Sequence, residues 1–203
     1  MKKILSTCAL SAVAFVAASC ASIDSPPAPE VYNDHASFSS AEDYKTTTDV
    51  YRNEALLAVG NSSNTSVTID LSDQRMMLLV NGQVAMDTPT STGRAGKRTP
   101  TGTFRIMEKI RDKRSNIFGR YYRGDQVVFG GDRRKYTGSK SGLRYVGSPL
   151  PYWMRLTGGG IGIHYSKNVP RYPASAGCIR TPMAPVQTIY SKVRTGTKVV
   201  VQY

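Results

Sequence analysis

The chain reads as a mainly β domain, closer to a sandwich than to a doubly wound sheet, with one clear helix near its C-terminus. Three observations predict this. Residues 66–71 alternate, with Val67, Ile69 and Leu71 on one face, as a half-buried strand does. Residues 76–80 are a continuous apolar run, and Asn81-Gly82 then supplies the strongest short hairpin signal before the return at 83–86. After Thr181-Pro182, Val186, Ile189, Tyr190 and Val193 form a stripe at helical spacing that runs to about Arg194, and Gly196 follows as a stop signal. The other elements fall between these. Residues 103–110 place Phe104 and Ile106 on one face of a further strand, 126–129 and 161–164 are short strands, and 197–202 closes the chain as an apolar strand. Residues 111–160 differ: rich in Arg, Lys, Gly and Tyr, they read as a basic lid or flap inserted beside a cleft.

The 203 residues suit one domain of ordinary size plus a short extension, and a hydrophobic content of 40% is enough for a core. Three Cys exclude a disulfide-dense scaffold and a conventional zinc finger, and two His leave few ways to build a histidine site. Residues 1–19 read as a secretory signal: Lys2 and Lys3 form a positive start, and 4–18 is mainly apolar but too short for a membrane span. Ala17-Ala18-Ser19-Cys20 resembles a lipobox, in which Cys20 is lipidated, becomes the new N-terminus and holds the protein to a membrane. Ordinary cleavage after a small residue is the alternative. Either way the protein is expected outside the cytoplasm, in the periplasm or cell envelope. Cys8 is then removed, and Cys178 is the one thiol left in the folded part, unpaired in an oxidising compartment. Residues 20–64, with Pro26, Pro27, Pro29 and many Ser and Thr, read as an acidic tether, in which 54–59 carries a weak helical signal.

Charge separates the two regions. Residues 21–63 carry two basic and seven acidic side chains, and residues 64–203 carry 23 and seven, giving −5 and +16. A basic domain implies an anionic partner. A secretory signal argues against nucleic acid and for an envelope polymer such as peptidoglycan, lipopolysaccharide or anionic lipid. A solvated basic surface without a partner is the plainer alternative.

Few residues can carry chemistry. His164 ends the strand at 161–164, and glycines at 158–160 and 162 leave room for a substrate backbone. Ser175-Ala176-Gly177-Cys178-Ile179-Arg180 follows, where Gly177 permits a tight turn and the amides of Gly177 and Cys178 can converge on an oxyanion. A thiol attacks as thiolate, and a nearby imidazole can take its proton. Arg180 and the arginines between 111 and 155 would favour the thiolate if close. Taken singly, Cys178 also fits a small buried hydrophobe and His164 a hydrogen-bonded structural residue, so the pair alone leaves both readings open.

Here the chain resembles the L,D-transpeptidases with a YkuD-type catalytic domain. The motif residues are Ile163-His164, a gap, then Ser175-Ala176-Gly177-Cys178-Ile179-Arg180. They are preceded in the same order by 68–75, Asn81-Gly82, Ser91-Thr92-Gly93 and Thr99-Pro100-Thr101-Gly102-Thr103-Phe104. The resemblance covers 65–203. It implies a β-sandwich of mixed sheets and an acyltransferase acting on peptidoglycan stem peptides, without a metal or organic cofactor. It implies that Cys178 attacks the bond before the terminal D-Ala to form a thioester, and that an amine of a second stem or an anchored protein resolves it. Water as acceptor would make an L,D-carboxypeptidase. By the same analogy His164 is the base, the Tyr165 carbonyl orients its ring, Gly177 and Cys178 amides hold the oxyanion, and Ser175 and Arg180 shape the site. Carbapenem-type β-lactams are expected to acylate the thiol. Ala176 stands where the motif has a second His, which favours a non-catalytic peptidoglycan-binding lipoprotein as the competing reading. A papain-like cell-wall peptidase fails on order, because no His follows Cys178, and a redox role lacks a resolving thiol.

Overall fold

The structure, a computed structural model, describes residues 34–203. The expected signal at 1–19, the lipidation site Cys20 and the first part of the tether lie outside the described residues. The remainder of that tether is folded. It contains α1 (His35–Ser39), β1 (Tyr51–Arg52) and α2 (Glu54–Val59), the first and last capped by the side chains of Asp34 and Asn53. The weak helical signal at 54–59 therefore corresponds to a helix, while the flexible tether expected around it is corrected.

The alternating segment forms β2 (Thr65–Asp70), with Val67 and Ile69 fully buried. β3 (Arg75–Val80) pairs back on it, and Asn81 and Gly82, at φ of +50° and +81°, make the tight turn into β4 (Gln83–Pro89). The segment expected as one strand at 103–110 is broken into β5 (Gly102–Arg105) and the start of β6 (Glu108–Arg123). At the corner the Ile106 amide donates to Thr197 and the Met107 amide to Arg155, so the chain changes sheets between two residues. β6, β7 (Gln126–Asp132) and β8 (Arg144–Arg155) form long antiparallel ribbons, so the basic insertion is mostly strand. Sequence alternation misses it because both faces of the ribbon are partly wet. Its arginines lie over rings instead: Arg133 is 4.4 Å from the Tyr145 centroid and Arg144 is 5.1 Å from that of Tyr122.

β9 (Gly162–Tyr165), β10 (Ile179–Thr181), α3 (Met183–Lys192) and β11 (Lys198–Gln202) complete the fold. One sheet runs β1-β4-β3-β2-β11-β5 and the other β10-β9-β8-β6-β7, and each contains both parallel and antiparallel pairs. A single apolar cluster joins them, with Val67, Leu78 and Val199 of the first meeting Met154, Ile163 and Ile179 of the second and Val186 and Ile189 of α3. The mainly β architecture with a C-terminal helix is as the sequence predicts. The helix stops at Lys192, two residues early. There Lys109 donates to the Tyr190 and Val193 carbonyls and sits 4.3 Å over the Tyr190 ring, satisfying carbonyls the helix leaves open.

A second, aromatic cluster explains why residues 34–52 are held. Arg75 and Asp87 are fully buried and paired at 2.7 Å. Their remaining polar capacity is met by the N-terminal segment: the Tyr44 hydroxyl and the His35 ring contact Asp87 at 2.7 and 2.8 Å, and the Asp49 carbonyl accepts from Arg75 at 3.0 Å. Phe38 and Tyr44 lie 4.8 and 4.9 Å from the guanidinium. Without this cover the ion pair would face an apolar surround with unmet hydrogen bonds, which is costly. Phe38→Ala is expected to destabilise the protein by about 3–5 kcal/mol, the usual range for removing a buried aromatic ring. A denaturant midpoint equal to wild type would return the segment to a tether.

Candidate active site

The site is built at the edge of the second sheet, where β9 and β10 run parallel with His164 opposite Arg180. Strand alternation puts Cys178, two residues before Arg180, on the same side. On its other side β9 packs closely on β8 because residue 162 is glycine: a Cβ there would meet the Met154 carbonyl oxygen at 2.5 Å and the Trp153 ring at 2.8 Å. Trp153 itself is buried, with its ring 6.3 Å from that of His164.

The turn before β10 is tied by side chains. The Ser175 hydroxyl donates to the Cys178 carbonyl at 2.6 Å and accepts from the Gly177 amide at 3.0 Å. Gly177 has φ of +119°, a conformation other residues rarely adopt. Its carbonyl accepts from Thr99 at 2.8 Å, and Thr99 in turn accepts from the Gly93 amide. The Arg94 guanidinium and amide both donate to the Ser175 carbonyl at 3.1 Å. The expected pair of oxyanion amides is corrected by this geometry. The Gly177 N–H is engaged within the turn by Ser175, which leaves the Cys178 amide as the member of that pair the serine does not hold.

His164 is buried and its Nδ1 lies 2.7 Å from the Tyr165 carbonyl oxygen. A carbonyl can only accept, so Nδ1 carries the proton and Nε2 of the neutral ring keeps its lone pair. Burial pushes the imidazole down to about 4; the Tyr165 carbonyl opposes this, and the Arg180 charge adds to it. Burial also pushes the Cys178 thiol up, only partly offset by the Gly162 N–H and Arg180. The thiol lies 3.7 Å from the Gly160 carbonyl. Burial thus favours the neutral thiol and the neutral imidazole at rest.

A cleft of about 660 Å³ contains both groups. Ile117, Phe118 and Leu150 of the basic ribbon form one wall, and Arg94, Lys97, Ser175 and Ala176 lie on another. Of the six sequence-predicted site residues in the folded part, Cys178, His164, Ser175, Arg180 and Tyr165 line this cleft, and Gly177 acts through the turn. Of the arginines between 111 and 155, Arg134 is the one that lines it. Sequence reasoning gives no role to Thr99, which opens one of the motifs, and misses Arg94, which directly follows Ser91-Thr92-Gly93, and Trp153, which gives no local signal. Among the described residues no group of three or more His, Cys, Asp or Glu side chains could hold a metal ion.

This fold and cleft agree with a family match. The family model for the YkuD L,D-transpeptidase catalytic domain matches residues 64–201, and the chain belongs to that family. Three solved L,D-transpeptidase structures show the same fold. The one from Mycobacterium smegmatis is 20% identical with a TM-score of 0.53, covering 69% of this chain and 59% of its own. That from Xylanimonas cellulosilytica is 22% identical with a TM-score of 0.51, covering 70% and 61%. That from Stackebrandtia nassauensis is 21% identical with a TM-score of 0.50, covering 71% and 58%. The chain thus spans about three-fifths of the length of these relatives. A comparison with the curated proteins gave no match.

The buried imidazole makes stability pH-dependent with a defined sign. Its folded value of about 4 lies below the ordinary 6.5, so on acidification the unfolded chain takes up the proton first. The contribution is full above pH 6.5 and is lost progressively between 6.5 and about 4. His164→Asn is expected to flatten the melting-temperature profile in that window relative to wild type. Parallel profiles would mean that the ring is solvated.

Proposed function

We propose that the chain is a cysteine-dependent peptidoglycan L,D-transpeptidase. The observation that carries this reading is the His164–Tyr165 contact, which leaves Nε2 as an acceptor in the cleft that Cys178 lines. On binding a stem peptide, Cys178 Sγ attacks the carbonyl of the third-position diamino acid, and its proton passes to His164 Nε2. The tetrahedral oxyanion forms near the Cys178 amide and the Arg180 charge. The C–N bond to D-Ala then breaks, the leaving amine takes the proton from His164, and a thioester remains. An acceptor amine attacks the thioester, gives a proton to His164, and the thiol is restored. Water in place of the amine gives the L,D-carboxypeptidase outcome. Because both groups rest neutral, attack and proton transfer are coupled.

Ala176 lines the cleft and is exposed, where the family motif has a second His. A methyl group cannot donate a hydrogen bond, so this chain relies on Arg180 and the Cys178 amide for charge stabilisation. Export, with a lipid at Cys20 holding the domain near peptidoglycan, is part of the same proposal.

Two measurements test the reading. Cys178→Ala is expected to abolish cross-links between the third residues of neighbouring stems, read by muropeptide mass spectrometry, while the domain still folds. Incubation with a carbapenem is expected to add one drug mass to the wild-type protein and none to Cys178→Ala. Unchanged cross-links, or the absence of any adduct, would favour a peptidoglycan-binding module instead.

A further inference from the structure

The cleft around Cys178 is charged with one sign. Arg94, Lys97, Lys167 and Arg180 line it, with Arg134 on the ribbon side, and no Asp or Glu does. Arg134 is compensated by Asp132 at 2.7 Å. Among the described residues the other four form no ion pair with a carboxylate, although Lys45, Arg52, Arg75, Lys113 and Arg155 do, and Lys97 feels the Asp132 charge only at longer range. Four cations without a paired carboxylate at one cleft give it a positive potential that attracts an anionic ligand.

Two of these cations are seated by backbone contacts. Arg94 spends one guanidinium N–H on the Ser175 carbonyl, which fixes the group beside the turn and leaves its other donors for a ligand. Arg180 has its backbone bonded to Ser91 in both directions, at 3.1 and 3.0 Å, so its side chain leaves from a fixed strand next to His164. Lys97 and Lys167 are exposed and complete the rim. The ribbon side adds apolar surface from Ile117, Phe118 and Leu150 beside Ser115, Ser148 and Arg134. The cleft thus offers charge to anionic groups and apolar surface to hydrocarbon in a volume that suits a short peptide.

Resting on the transpeptidase reading, we infer that this rim selects a donor peptide whose side-branch carboxyls are free carboxylates over the same peptide with those carboxyls as carboxamides. A carboxylate accepts charge-assisted hydrogen bonds from guanidinium and ammonium groups. A carboxamide brings no charge, and its NH2 points donors at cations that have no acceptor to offer. Discrimination therefore arises both from attraction to the acid and from unmatched donors on the amide.

The test uses the full chain and two synthetic stem tetrapeptides, identical except that the second- and third-residue carboxyls are free or amidated. Binding to Cys178→Ala is measured by calorimetry at low and high salt. The free acid is expected to bind about tenfold more tightly at low salt, with the ratio shrinking as salt screens the rim. In a Lys97→Gln, Lys167→Gln double substitution, confined to exposed side chains, the ratio is expected to fall at least threefold. Arg94→Gln is expected to lower it further. Equal affinities in Cys178→Ala, or a ratio untouched by the double substitution, would overturn the inference. A parallel arm incubates wild type with each peptide and weighs the intact protein for a stem adduct lacking D-Ala. An adduct with equal affinities overturns the selectivity alone. A salt-sensitive preference without any adduct overturns the transpeptidase reading and leaves the selectivity standing.

Discussion

The parallel pairing of β9 with β10 is the constraint on which the site depends. It joins two segments separated by a loop and puts His164 directly across from Arg180. From that register, alternation alone delivers Cys178 to the same face. On its other side β9 lies close against β8 because of Gly162, where any side chain would strike Met154 and Trp153. The pairing is locked from outside by Ser91, bonded to both the amide and the carbonyl of Arg180. The chemistry follows from this placement. A histidine held at Nδ1 by the next residue's carbonyl has one free nitrogen, and the strand aims it at the cleft rather than into the core.

The same burial that orients these groups sets their charge. Taking an imidazole and a thiol out of water disfavours imidazolium and thiolate alike. Arg180 acts on both in a consistent direction, lowering the histidine and the cysteine. A cationic rim therefore surrounds a pair that rests neutral.

The turn that carries Cys178 is also connected to the N-terminal segment. Arg171 donates to the carbonyls of Gln74, Asp73 and Lys45, bridging the loop before the turn to the β2–β3 connection and to the segment before β1. Gln74, itself buried at φ of +50°, accepts from the Thr92 amide, and the Thr92 carbonyl accepts from Ala174 and Ser175. Residues 34–52 lie outside the stretch matched by the family model, yet they cover the Arg75–Asp87 pair and touch this chain of contacts. The folded unit is therefore larger than the catalytic domain read from motifs.

By itself the sequence determined whatever local periodicity and short motifs encode: the β2–β3–β4 meander, the C-terminal helix and strand, and the identities of Cys178, His164, Ser175 and Arg180. Those signals survive because a single buried face imposes a period of two or 3.6 residues on the chain. Tertiary structure alone decided the rest. The long ribbon of β6 and β8 is wet on both faces and leaves no alternation. Phe38, Tyr44 and Tyr51 share no period, and they fold because a buried ion pair elsewhere in the chain requires covering. The gathering of Arg94, Lys97, Lys167 and Arg180 into one cationic rim, and the Thr99 and Arg94 bonds that hold the turn in which Ser175 engages the Gly177 amide, depend on contacts between residues far apart in sequence. Such contacts are fixed by packing and leave no local pattern to read.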